Sequence, residues 1–160
     1  MKVTYRISRE KETLRGKELD EALKKAGWYA GQAGYFAGRD FYPDGTDTAA
    51  VAAMNEYGDA NRPARPFLRE SVDRHREEIG EKAVKESERM LSGEIGPHWM
   101  FANLANFQTG LIKEEISSGS FAPLSPATVR AKGHSKPLQD TGRLKLSAAP
   151  RVIILGEDGQ

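Results

Sequence analysis

Ala49-Ala-Val-Ala-Ala-Met-Asn-Glu-Tyr-Gly-Asp-Ala-Asn-Arg-Pro-Ala-Arg-Pro-Phe-Leu-Arg-Glu-Ser-Val72 decides the architecture. Ala49 to Tyr57 has high helix propensity, with Val51 and Met54 as its larger apolar side chains. Gly58 fits a left-handed C-terminal cap. Pro63 and Pro66 each remove a backbone donor and fix a φ angle, so the loop is stiff. Pro66 suits the first turn of a following helix, and Phe67 and Leu68 would anchor that helix in the core. Arg62, Arg65 and Arg69 flank the loop. Arginine here can brace a carboxylate such as Glu56 or reach outward to a neighbouring subunit or a phosphate.

Downstream, Pro66 to about Leu91 reads as one long helix. Leu68, Val72, His75, Ile79, Ala83 and Met90 lie near one face. Its acidic and basic residues nearly balance, as on a solvated face laced with i,i+4 pairs. Ser92-Gly-Glu-Ile-Gly-Pro ends it. His98 to Ser118 forms a second helix with the stripe Met100, Leu104, Phe107 and Leu111, broadened by Phe101, Ile112 and Ile116. The short connection implies an antiparallel pair. Phe121 to Pro137 is a loop holding one short helix, with Ser125 as N-cap and Pro126 in the first turn. Asp140 or Thr141 caps another short helix near Gly142, where glycine permits close approach. Arg151-Val-Ile-Ile-Leu is a β-type run that could join a sheet.

Upstream, Val3, Tyr5 and Ile7 alternate with polar residues, the period of a half-buried strand. Lys11 to Ala26 reads as an amphipathic helix stopped by Gly27. Trp28 to Tyr42, rich in glycine and aromatics, reads as one or two strands, with Pro43-Asp-Gly-Thr as a turn. The expected fold is α+β: a small antiparallel sheet packed with two long helices and shorter helices, with extended loops or arms. Residues 1–155 are read as one domain and 156–160 as a flexible polar tail.

A net charge of +1 makes no global demand for nucleic acid or membrane. There are no cysteines, hence neither disulfides nor thiolate metal sites. The first residues lack the apolar run of a signal peptide, and no stretch approaches a membrane span. The chain is read as soluble and made in the cytoplasm. His75, His98 and His134 fall in separate segments without metal-ligand spacing. Gly31, Gly34 and Gly38 match neither the dinucleotide fingerprint nor the P-loop. Asp140-Thr-Gly superficially resembles the aspartic-protease triplet, but those enzymes need paired aspartates on barrel strands. No catalytic, cofactor-binding or metal-ligating residue is assigned, and the chain is read as a non-enzyme.

Asn55-Glu-Tyr-Gly, a short gap, then Arg62-Pro-Ala-Arg-Pro-Phe resembles a signature of tailed-phage morphogenesis proteins. These are the lambdoid tail-component family and its relatives, the lambda Z-type tail completion and Mu G-type virion morphogenesis proteins. Phe121-Ala-Pro-Leu-Ser-Pro-Ala-Thr-Val-Arg-Ala-Lys-Gly and Lys136-Pro-Leu-Gln-Asp-Thr-Gly-Arg-Leu are similar to a second segment of those families. Together the two cover roughly a third of the chain. The stretch Trp28 to Tyr42 is longer than the short strand usual there. The resemblance implies a structural virion protein, a tail completion or neck component that forms a ring, expected to be hexameric, at the head–tail junction. It implies assembly in the host cytoplasm, contact with a tail terminator or tail tube and a head connector or stopper, and non-specific contact with genomic DNA in the channel. The residues expected at subunit interfaces are Glu56, Tyr57, Arg62, Arg65, Pro66, Phe67, Arg69, Leu124, Asp140, Thr141, Gly142 and Arg143.

The alternative is a nucleic-acid-binding α+β module with no virion role. Arg130, Lys132, Lys136, Arg143, Lys145 and Arg151 outnumber Asp140, Glu157 and Asp158 in the C-terminal third.

Overall fold

A computed structural model describes residues 9–156. The strand expected at Val3 to Ile7 lies outside the described residues. The elements are α1 (Arg9–Ala26), β1 (Tyr29–Gly34), α2 (Thr48–Tyr57), α3 (Phe67–Arg74), α4 (Arg76–Leu91), α5 (Pro97–Ser118), α6 (Pro126–Lys132), α7 (Arg143–Ser147) and β2 (Ala149–Ile154). The fold is α+β, with a two-stranded antiparallel sheet among seven helices of the described residues.

Helix α5 is the spine. It packs on both strands and on α3, α4 and α7. The β-type run near the C-terminus joins the sheet, with Tyr29 opposite Ile154 and Gly34 opposite Ala149. Gly31 sits where α5 crosses β1. A Cβ there would lie 2.8 Å from the Phe101 carbonyl oxygen, so the helix approaches the strand only because the side chain is a hydrogen. The second possible strand before Tyr42 reduces to a single bridge, Phe41 with Asp47, around the expected Pro43–Thr46 turn.

The core gathers Ala52, Phe67, Ile112, Ile116, Leu138, Leu144 and Ala148. On α5 the fully buried line runs through Ala105, Thr109, Ile112 and Ile116. Leu104 and Phe107, expected at the centre of the stripe, are half-buried at its flank. Small residues at 105 and 109 let the neighbouring backbones close in there, and side-chain size alone hides this.

The single long helix expected from Pro66 to Leu91 is instead two helices meeting at His75, whose φ of −109° and ψ of 22° interrupt the run. There is no proline or glycine at the break. The cause is the direction of burial. Phe67 and Ser71 are buried in α3, Glu86 and Met90 in α4. On one straight helix those pairs would point about 100° apart. The bend lets both halves face α5, and it leaves Val72, expected on the apolar face, exposed.

Glu86 is wholly buried between α4 and α5. Its carboxylate accepts from Lys82 Nζ at 2.7 Å, Arg89 Nη1 at 3.0 Å and Asn103 Nδ2 at 2.7 Å. Burial opposes its ionisation. Hydrogen bonds from Lys82 and Asn103, with the charges of Lys82 and Arg89, outweigh that and hold the carboxyl below its ordinary value.

Two outcomes are expected. Gly31→Ala should lower stability by about 1–3 kcal/mol in urea unfolding, since the new methyl meets backbone. Glu86→Ala should cost about 3 kcal/mol at neutral pH. Because the folded-state pKa of Glu86 is depressed, its contribution is complete above the ordinary carboxylate pKa and is lost as pH falls through the depressed one. The gap between wild type and Glu86→Ala should therefore narrow below about pH 4.5.

Candidate functional site

The proline-punctuated loop between α2 and α3 is built by a chain of local constraints. Asp47 caps α2, its Oδ1 accepting from Ala49 N at 2.8 Å. Gly58 ends the helix with φ 70° and ψ −177°: the positive φ expected of a glycine cap is present, but ψ lies far from the left-handed helical value. A Cβ on Gly58 would lie 2.6 Å from Ala64 N and 2.7 Å from Arg62 O, so the loop folds tightly back over it. Asp59 holds the turn by accepting from Asn61 N and Arg62 Nε, both at 2.8 Å. These hydrogen bonds lower its pKa.

Pro66 is the N-cap of α3 rather than part of its first turn, and it supplies no side-chain hydrogen bond. Glu56, buried at the end of α2, provides the cap. Its Oε2 accepts from Leu68 N at 2.8 Å and its Oε1 from Arg69 N at 3.2 Å. Arg69 Nε closes the brace at 2.9 Å. An internal brace was one of the two readings open for these arginines, and Glu56 selects Arg69 for it. The Arg69 guanidinium also lies 5.5 Å from the ring centre of Tyr57, which is 72% exposed.

Arg65 crosses to the other motif. Its Nε donates to the Ala122 carbonyl at 2.9 Å and its Nη2 to the Pro123 carbonyl at 3.2 Å. Its own amide donates to Asn55 O at 2.6 Å. Burial pulls its pKa below the ordinary arginine value. Among the described residues no carboxylate lies in ion-pair range of it, so carbonyl dipoles balance this buried cation.

The second segment is shaped as tightly. Ser125 Oγ accepts from Thr128 N at 3.2 Å and starts α6, as expected. Leu138 is buried in the core at φ 60°, a left-handed conformation rare for a leucine and held by that burial. Gln139 Nε2 donates to the carbonyls of Ile116 and Ser117, capping the end of α5. Thr141 Oγ1 accepts from Arg143 N at 3.3 Å, so threonine rather than Asp140 serves the start of α7. Gly142 is needed for its φ of 74°, not for close approach, since nothing would crowd a Cβ there. Arg143 Nη1 donates to Phe41 O at 2.6 Å.

Between the segments lies an open groove of about 640 Å³, walled by Arg62, Pro63 and Arg65 on one side and by Pro123, Leu124 and Asp140 to Arg143 on the other. Of the expected interface residues, Arg62, Arg65, Leu124, Asp140, Thr141, Gly142 and Arg143 line it. Glu56, Tyr57, Pro66, Phe67 and Arg69 do not. Phe67 corrects the interface expectation outright. It is fully buried, packed edge-on against Tyr35 at 5.9 Å, and belongs to the core. Glu56 and Arg65 are likewise consumed within the fold.

Tyr42, Asp44 and Thr46 form a third wall that the sequence reading did not assign to a site. Burial and the nearby Asp140 raise the Tyr42 pKa, with Arg143 opposing. Thr46 N donates to Asp44 Oδ1 at 2.9 Å. The Asp-Gly-Thr turn was visible in the sequence, but nothing there joined it to residues about a hundred positions away.

No family model, curated protein or solved structure matches the chain.

Arg65→Ala removes the donor to the Ala122 and Pro123 carbonyls and with it the tie between the two loops, and is expected to cost about 1–3 kcal/mol, lowering Tm by about 2–12 °C. Arg65→Lys keeps the charge but not the forked geometry and should recover less than half of that loss. Calorimetry on the two variants checks both.

Proposed function

We propose that the chain is a structural protein of a tailed phage, a tail completion or neck component that assembles as a ring at the head–tail junction. The observation that carries this reading is the meeting of its two signature segments. Asn55, Asn61 to Pro63 and Arg65 from the first segment and residues between Pro123 and Leu144 from the second wall one groove, tied by Arg65. A chance likeness of two short strings gives no reason for them to be neighbours in the fold. A shared signature maintained by one structural unit does. The groove's walls are proline-stiffened loops whose donors and acceptors are largely spent internally. Such walls present a fixed shape to a neighbour, which limits the ordering cost of assembly.

Electron cryo-microscopy of purified virions tests the reading. A closed ring of this chain between head and tail is expected. Particles whose junction is fully accounted for by other chains would overturn it. Salt-sensitive DNA binding by isolated monomers would favour the nucleic-acid-binding module instead.

A further inference from the structure

Two surfaces, one away from the groove and one adjoining it at Thr141 and Arg143, are complementary to each other. The first is the outer face of α4. Glu77, Glu81, Val84, Glu88 and Leu91 fall within about 80° of the helix circumference, opposite buried Glu86. Val84 is 59% and Leu91 48% exposed. Among the described residues the ion pairs of α4 run through Arg76 with Asp73, Glu78 with His75, and Lys82, Glu86, Arg89 and Glu94. Glu77, Glu81 and Glu88 are exposed and have no ion-pair partner among the described residues. Lys85 is the neighbouring cation beside this stripe.

The second surface surrounds α7. Leu146 is 76% exposed, beside exposed Lys145, which likewise lacks a partner among the described residues. Leu146 borders a hollow of about 340 Å³ with Pro43, Arg143, Thr141, Ser147 and Asp40. Asp40 is the one acid on that rim. The two surfaces sit on different parts of α5. Helix α4 reaches it at Met100 and Asn103, whereas Leu144 of α7 packs in the cluster of Ile112 and Ile116. Those positions are about 18 Å apart along the helix. One chain cannot satisfy its own complementarity.

We propose that the α4 face of one copy docks on the α7 face of a second copy, with Val84 and Leu91 against Leu146 and its hollow and the glutamates facing Lys145 and Arg143. Charge complementarity selects a second copy as the occupant, because acidic-apolar and basic-apolar faces occur on the same molecule. Made once between each pair of copies, the contact is head-to-tail and closes into a ring when the rotation permits. This deepens the ring reading above and rests on it for the closed form.

The test is light scattering over a concentration series at low salt on the full chain, with carbodiimide cross-linking read by mass spectrometry. Wild type should self-associate and yield intermolecular links from Glu81 or Glu88 to Lys145. Glu81→Lys with Glu88→Lys, and separately Lys145→Glu with Leu146→Asp, should each weaken association by at least about tenfold. A second pair carries only charge: Glu81→Lys/Glu88→Lys copies mixed with Lys145→Glu copies should associate again, since each face then meets an opposite charge. All these positions are exposed, and circular dichroism should show every variant folded. Wild type that stays monomeric throughout, or association unchanged by the reversals, overturns the proposed contact. A ring seen in virions with other faces in contact would overturn it too and leave the ring reading standing.

Discussion

The buried guanidinium of Arg65 is the constraint on which the rest of the structure depends. It removes a charge from water without giving it a carboxylate, and only carbonyl oxygens of a distant loop compensate it. Such a group tolerates little displacement. The loop that presents Ala122 and Pro123 must therefore lie where the fork of Arg65 reaches it. That loop in turn sets the entry to α6 and the path toward Leu138 and α7. On the other side, the amide of Arg65 is fixed to Asn55 and the next residues to Glu56. One side chain thus couples the α2–α3 turn to the C-terminal third of the chain.

Around this tie the fold spends its polar groups on itself. Glu56 caps a helix that proline leaves uncapped, Gln139 closes the end of α5, and Glu86 collects three donors inside the α4–α5 contact. Each arrangement is costly to leave half-made. Helix faces with no such internal use are then conspicuous. The outer stripe of α4 and the surface of α7 combine exposed apolar side chains with charges that have no partner among the described residues, and this makes them candidates for contact between copies.

Much of the architecture was legible in the sequence because its signals are local. Propensity and stop residues delimit α2 and α5, Ser125-Pro126 marks α6, and β-branched residues near the C-terminus mark β2. What escaped depends on tertiary geometry. The break at His75 has no sequence marker, since it arises from the direction in which each half must bury its side chains. Leu104 and Phe107 outweigh Ala105 and Thr109 by size, yet close approach selects the small residues. The candidate site was half legible. The arginines and the Asp-Thr-Gly turn stood out by composition. Phe67 and Glu56, read as interface residues by their place in a signature, are there because the fold needs them. A short motif marks a constraint without saying whether that constraint faces inward or outward.

The most direct measurement on the central claim is native-state hydrogen exchange of wild type and Arg65→Ala, resolved by segment. If Arg65 couples the α2–α3 loop to the segment that begins at Phe121, the variant should lose protection in residues 58–66 and 121–142 together, while the central turns of α4 and α5 keep theirs. Loss confined to residues 58–66, with 121–142 protected as in wild type, would contradict the coupling and with it the account of the groove as one structural unit.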